Sequence, residues 1–118
     1  MVDNKLLIAV AKGLPQLREI SLAFCGSDNF IGADGLSELA TKLNGLIQLN
    51  LSGLAAVKGE IIAKFCANCP KLQKLILRNC IYLNNLGVEE LGNLTNLDHI
   101  DLSGCILVYF LIINLILN

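Results

Sequence analysis

Residues 69–80 read CPKLQKLILRNC, and the same spacing of aliphatic residues returns three more times in the chain. The shared pattern is L-x-x-L-x-x-[LI]-x-L-x-x-[C/L], with Cys69 in the first leucine position, and the other copies begin at Leu14, Leu43 and Leu94. Equivalent positions lie 29, 26 and 25 residues apart. Leucine supplies 25 of the 118 residues, a bias that is typical of a repeated structural unit.

Each copy of the pattern combines two periodicities. The alternation Ile20-x-Leu22 and its equivalents predict a short strand with one buried face. The segments between copies change to three- and four-residue steps, as at Leu36, Leu39 and Leu43, which predicts amphipathic helices. We therefore expect an α/β fold, a right-handed β-α solenoid of about four repeats with parallel strands on its concave face.

The length predicts a single domain over residues 1–118. Residues 1–13 would form a partial helical repeat that serves as an N-terminal cap, and residues 14–105 the four repeats. Residues 106–118 form an apolar C-terminal tail. It could fold over the open end of the core, mark a truncated or wrongly predicted gene end, or attach to a membrane. Membrane attachment is the least favoured, because spanning takes about 20 apolar residues.

Four segments carry a resemblance to the leucine-rich repeat family: the stretch quoted above, LREISLAFC at 17–25, LIQLNLSGL at 46–54 and LDHIDLSGC at 97–105. Residues 69–80 resemble the cysteine-containing subclass, best known from the substrate-receptor regions of F-box proteins. The first repeat is similar to the ribonuclease-inhibitor-like subclass, which also occurs in GTPase-activating proteins of Ran.

The resemblance implies a non-catalytic protein–protein interaction module that binds a protein partner of unknown identity through its concave strand face. One alternative is a fragment of an F-box-type substrate receptor for ubiquitination, although the sequence contains no F-box. Another is a fragment similar to the Ran GTPase activators. Self-association through the exposed solenoid ends also stays open.

The outward strand positions would form the partner-binding surface. Lys74, Ile76 and Arg78 combine two charges with an exposed apolar side chain, which is the composition of a binding hot spot. The predicted partner-binding residues are Glu19, Ser21, Gln48, Asn50, Lys74, Ile76, Arg78, His99 and Asp101.

Charge and aromatic content argue against a nucleic-acid partner. Nine basic and ten acidic residues give a net charge of −1, so the chain lacks an overall basic field. There is no tryptophan and aromatics make up 5%, which disfavours a stacking platform for bases. Residues 58–78 carry +4 and residues 80–105 carry −4, which fits either an ordinary solvated surface or electrostatic steering of a partner.

The cysteines favour structural roles. Their number, five, is odd, which favours a reduced and therefore cytoplasmic or otherwise intracellular setting. Cys66-x-x-Cys69 is the one motif of the metal or redox type, but a structural zinc needs four ligands and His99 is the sole histidine. We expect buried helical thiols, no metal and no cofactor.

The last cysteine position of the pattern would hold turn-capping residues, at Cys25, Cys80 and Cys105, with Leu54 as the exception. Leucine cannot bond the turn, so a water, a shifted turn or a strained turn is expected there. His99 and Asp101 are two residues apart on one strand face, but no nucleophile with its own motif accompanies them. We expect no catalytic residues and no enzymatic activity.

Overall fold

Short helices alternate with three-residue strands along the chain. The computed structural model describes residues 2–25 and 30–109. In chain order the elements are α1 (Asn4–Gly13), β1 (Glu19–Ser21), α2 (Ala33–Lys42), β2 (Gln48–Asn50), α3 (Gly59–Asn68), β3 (Lys74–Ile76), α4 (Asn85–Leu91) and β4 (His99–Asp101).

The four strands form one parallel sheet in the order β1-β2-β3-β4. Their register pairs equivalent positions of successive units, so that Ile20, Leu49, Leu75 and Ile100 lie side by side. The ladder continues beyond the strands, because the Leu22 amide donates to the Asn50 carbonyl at 2.8 Å. The predicted α/β class with four parallel strands is confirmed.

The helices bury the faces that the spacing predicts. Leu36, Leu39 and Ala40 of α2 are buried, as is Leu43 directly after it. These side chains belong to one core cluster with Leu49 of β2, so the core lies between the helices and the sheet. Burying a leucine fully contributes about 1.5–3 kcal/mol, which makes this ladder the main stabilising element.

The N-terminal helix follows the prediction except at its end. Asp3 caps α1 by accepting the Leu6 amide at 2.9 Å, and the helix buries Leu7 and Ala11 against the core. Leu14, expected on the same buried face, is 55% exposed. The equivalent residues Leu43 and Cys69 also lie just past a helix end with similar backbone angles, yet both are buried. The difference is that α1 packs on α2 alone, whereas α2 and α3 each pack between two helices.

Hydrogen bonds from side chains link successive units. Asn4 Oδ1 of α1 accepts the Gly32 and Gly35 amides at the start of α2, at 2.8 and 3.2 Å. The Cys80 thiol donates to the Leu51 carbonyl, and the Cys105 thiol donates to the Leu77 carbonyl. In both cases the acceptor belongs to the preceding unit, so the cysteines hold one unit to the next.

The turn at Leu54 departs from the expectation. Its amide donates to the Leu51 carbonyl at 3.3 Å, as the Cys25 amide donates to the Leu22 carbonyl at 3.1 Å. The backbone turn is therefore unshifted. What the leucine lacks is a thiol to bond the preceding unit; it is 1% exposed and contributes packing instead.

The start of the C-terminal tail is packed on the last unit. Residues 106–109 are helical, and Val108 is 2% exposed. Residues 110–118 lie outside the described part of the chain, and the three interpretations of the tail stay predictions. Within residues 2–25 and 30–109, no helix has both the length and the apolarity that crossing a membrane requires.

Candidate functional site

The predicted partner-binding residues share one face of the sheet. Glu19, Gln48, Lys74 and His99 are paired across the four strands, and Ser21, Asn50, Ile76 and Asp101 form a second row. The residues of these rows on β1–β3 line an open depression of about 380 Å³. The structure therefore brings the nine residues together, with Arg78 two residues after the end of β3.

The expected apolar hot spot on this face is absent from the described surface. Ile76 is only 7% exposed, because Asn50 and Asp101 lie directly opposite it on both neighbouring strands. Ser52, another outward position, is 1% exposed, and its hydroxyl accepts the Arg78 amide at 3.0 Å. The exposed part of the face is thus polar, and the prediction of an apolar anchor at Ile76 is wrong.

Arg78 is engaged in an ion pair on this face. Its Nε donates to Asp101 Oδ2 at 2.5 Å, while the Ser103 amide and hydroxyl donate to Oδ1. The bonds from Ser103 and then from Arg78 hold the pKa of Asp101 well below its usual range. The Asp101 carboxylate is thus bonded to Ser103 and Arg78 rather than to His99. The expectation of no enzymatic activity stays a prediction.

Exposed aromatic rings lie at the edge where the strands end and the chain turns towards the next helix. Phe24 is 63% exposed and Phe30 42%, both between β1 and α2, while Tyr82 is 51% exposed between β3 and α4. Tyr109, after β4, is also exposed, and Phe65 is the one buried ring among the described residues. We call Phe24, Phe30 and Tyr82, together with the cations Lys58 and Arg78, the aromatic edge.

Two of these rings occupy equivalent positions. Phe30 and Tyr82 each lie three residues before a helix start, and Ala56 holds that position in the unit between them. The small alanine leaves a depression of about 560 Å³, lined also by Gly32, Lys58 and Tyr82. Lys58 Nζ lies 5.9 Å from the centroid of the Tyr82 ring, within reach of a cation–π interaction. This edge therefore combines flat apolar rings with positive charge.

Phe24 is held in a strained backbone conformation. Its φ is 57°, and the equivalent positions Gly53, Asn79 and Gly104 have φ values of 77°, 57° and 76°. Glycine and asparagine are the residues that tolerate this left-handed region, whereas a bulky side chain there is an outlier. The turn imposes the conformation in every unit, and the chain nevertheless places an aromatic ring there.

Sequence reasoning missed this edge. A signal was present, because aromatics at 24, 30 and 82 all fall between the end of a strand pattern and the start of a helix pattern. The low total aromatic content hid this signal. It does not reveal that four of the five described rings are exposed.

The thiols at Cys66 and Cys69 lie in the core. Burial raises the pKa of Cys66 to about 11 and that of Cys69 to about 12. The Cys69 thiol donates to the carbonyls of Leu43 and Ala40. A packing role is consistent with these bonds. No group of three or more histidine, cysteine or acidic residues in the described ranges is placed to hold a metal ion.

The chain was compared with known protein families and with curated proteins. No protein-family model matches the chain. The chain is 42% identical over 108 residues to the Caenorhabditis elegans protein named "Putative RNA-binding protein EEED8.10". The match covers 92% of this chain and 14% of that protein, so the chain spans about one seventh of the relative's length.

This relationship corrects the functional predictions. A relative named for RNA binding contradicts the prediction of a protein–protein interaction module, with its alternatives as an F-box-type ubiquitin-ligase adaptor or a Ran GTPase-activator fragment. It also contradicts the exclusion of nucleic acid as a partner. That exclusion relied on the net charge and total aromatic content, averages that conceal the aromatic edge. No family model supports the leucine-rich repeat assignment.

Proposed function

We propose that this chain binds single-stranded RNA and that the aromatic edge is the surface that receives the bases. The observation that carries the proposal is the 42% identity, over nearly the whole chain, to a protein named for RNA binding. Because the chain matches only 14% of that protein, the structure of the chain itself must supply a plausible surface.

The chemistry of the aromatic edge supports this choice of ligand. Single-stranded RNA is recognised through unstacked bases that lie on aromatic rings, and each such stack contributes about 1–3 kcal/mol. Phe24 and Tyr82 are each more than half exposed. Lys58 lies beside the Tyr82 ring and supplies positive charge that a sugar–phosphate backbone needs, while Arg78 is paired with Asp101.

The conformation of Phe24 adds a physical argument. A left-handed conformation costs about 1–2 kcal/mol for a residue with a side chain. Strain of this kind is common at functional sites, where it is offset by the surrounding structure. Glycine occupies the equivalent position in two of the other units, so an aromatic ring is not needed for the turn. We assign the ring to base stacking.

The proposed architecture is a right-handed α/β solenoid whose four β–α units stack in chain order. In-order strand pairing and the packing of α1 on α2, α2 on α3 and α3 on α4 support it. Stacking units would place the strand-exit connections in a row, which suits a linear polymer. A crystal structure with helices on both faces of the sheet would contradict this architecture.

The test is fluorescence anisotropy with a labelled 12-nucleotide oligouridine and the whole chain. Non-specific RNA binding predicts a Kd of about 1–100 μM at physiological salt. Tyr82→Leu removes the ring and keeps an apolar side chain, so it should weaken binding about tenfold. Ile81→Ala is the matched control, because Ile81 is exposed beside Tyr82 but carries no ring. A wild-type chain that leaves the RNA unbound at about 100 μM would contradict the proposal.

A further inference from the structure

A second, strongly charged surface lies at the opposite edge of the sheet, where the strands begin. Arg18 directly precedes β1, Lys71 lies three residues before β3, and Lys74 is the first residue of β3. All three side chains are exposed. Lys12 and Lys42 lie in the last turns of α1 and α2. They add positive charge near this edge, because these helices end there.

An open cleft of about 450 Å³ separates two of these cations. Arg18 and Gln16 line it from the first unit and Lys71 from the third, with Gly45 of the second unit between them. A Cβ at Gly45 would contact nothing within 4 Å, so packing does not require glycine there. The missing side chain leaves the cleft open, and none of the residues that line it is acidic.

The cations at this edge are free to bind an anion. Within residues 2–25 and 30–109 the one ion pair joins Arg78 to Asp101, at the other edge. The carbonyl of Arg18 accepts the Ile47 and Gln48 amides at 2.7 and 3.0 Å, which fixes its backbone beside the cleft. Glu19 is the nearest acidic residue along the chain, and Asp98 takes the place of Arg18 in the fourth unit. The basic surface is therefore confined to the first three units.

We propose that Arg18, Lys71 and Lys74, the entry strip, bind phosphate groups of the RNA strand whose bases lie on the aromatic edge. The inference rests on the proposed RNA binding and specifies how the backbone is held. Arg18 and Phe24 lie on either side of β1, whose three residues span about 10 Å. An RNA strand that contacts both the entry strip and the aromatic edge crosses the polar open face of the sheet over several nucleotides.

The salt dependence of RNA binding tests the strip. Each phosphate contact to single-stranded nucleic acid contributes about −0.7 to the slope of log K against log salt concentration. Arg18→Ala/Lys71→Ala should therefore reduce the slope by about 1.4 and weaken oligouridine binding about tenfold at low salt. Lys5→Ala/Lys64→Ala is the matched control, because it removes the same charge from the exposed surfaces of α1 and α3. Equal slopes for the two double variants would overturn the strip while leaving RNA binding intact.

A probe without bases separates the strip from the proposed function. Inorganic tripolyphosphate titrated into the ¹⁵N-labelled chain should shift the amides of 16–18, 45–47 and 71, and these shifts should vanish in Arg18→Ala/Lys71→Ala. If the wild-type chain shows no such changes in chemical shift, or if the changes persist in that variant, the entry strip does not bind phosphate and the inference is overturned. If the chain binds tripolyphosphate at the strip but no RNA, the phosphate site stands and the proposed function fails.

Discussion

The ring of Phe24 lies against the backbone of Gly53, which is the equivalent residue in the next unit. A Cβ at Gly53 would overlap Cδ1 and Cε1 of the ring, so only glycine fits beneath it. The same relationship returns two units later, where the Asn79 side chain covers Gly104. All four residues have a positive φ. A side chain in the strained conformation is thus followed, in the next unit, by a glycine that makes room for it.

Replacing Phe24 should separate folding from binding. Phe24→Asn places at the turn a residue that tolerates the left-handed conformation, as Asn79 does in the third unit. Because the lost ring is mostly exposed, the free energy of unfolding in urea should change by less than about 1 kcal/mol. RNA affinity, measured by anisotropy, should fall about tenfold. A variant with unchanged affinity would remove Phe24 from the proposed surface.

The contact between the two residues can be measured by a double-mutant cycle. Gly53→Ala should destabilise the fold by about 2–3 kcal/mol, since it adds left-handed strain and a clash with the Phe24 ring. Combining it with Phe24→Asn should restore part of that loss, with a coupling of about 1 kcal/mol. Additive unfolding free energies would show that the ring does not press on Gly53.

Asp101 should act against RNA binding by neutralising Arg78. Asp101→Asn removes the negative charge and keeps an oxygen for the Ser103 amide, so we expect oligouridine affinity to rise about threefold at low salt. Ser103→Ala provides the control, because it removes a bond to Asp101 without changing charge. Unchanged or weaker binding by Asp101→Asn would show that Arg78 does not contact the RNA.

The same ion pair predicts a pH response. The pKa of Asp101 is lowered in the folded chain, so its stabilising contribution is present above the ordinary carboxyl pKa and is lost only as the pH falls through the lowered value. The Asp101 carboxyl signal, followed by NMR, should stay that of a carboxylate from about pH 7 to pH 4. A midpoint near the ordinary value of about 3.9 would contradict the pair.

The buried thiols should react slowly with thiol reagents while the chain is folded. Burial raises the pKa of Cys66 and of Cys80 to about 11, and that of Cys69 to about 12. At about pH 8 their thiolate fraction is roughly one in a thousand or less, and thiolate is the reactive form. A thiol-reactive disulfide reagent should therefore modify only Cys25 rapidly, because its side chain is half-buried. Rapid modification of more than one thiol without denaturant would contradict this packing.

The sequence predicted the elements because the leucine spacing records the packing directly. Ile20, Leu49 and Leu75 recur at equivalent positions because parallel strands place them side by side against the helices. The burial of Ile76 was not predictable in this way, since it depends on which side chains stand opposite on two neighbouring strands. The exposure of Leu14 was missed because the spacing is the same in every unit, whereas α1 packs on one neighbouring helix and α2 and α3 each pack on two.

The candidate site was harder to predict, because composition averages over positions. A net charge of −1 combines basic and acidic stretches that lie in different units. An aromatic content of 5% becomes a local concentration when three exposed rings share one edge. The strain at Phe24 could not be read from its neighbours in the sequence, since only alignment of the four turns shows that a glycine-type conformation is required there.

The measurement that tests the central claim most directly is an NMR titration of the ¹⁵N-labelled chain with oligouridine. RNA binding at the aromatic edge predicts saturable changes in the amide chemical shifts of Phe24, Phe30 and Tyr82. We expect smaller changes across β1–β3 and none on the outer surfaces of α2 and α3. Changes in chemical shift confined to the helices, or no changes up to about 100 μM RNA, would contradict it.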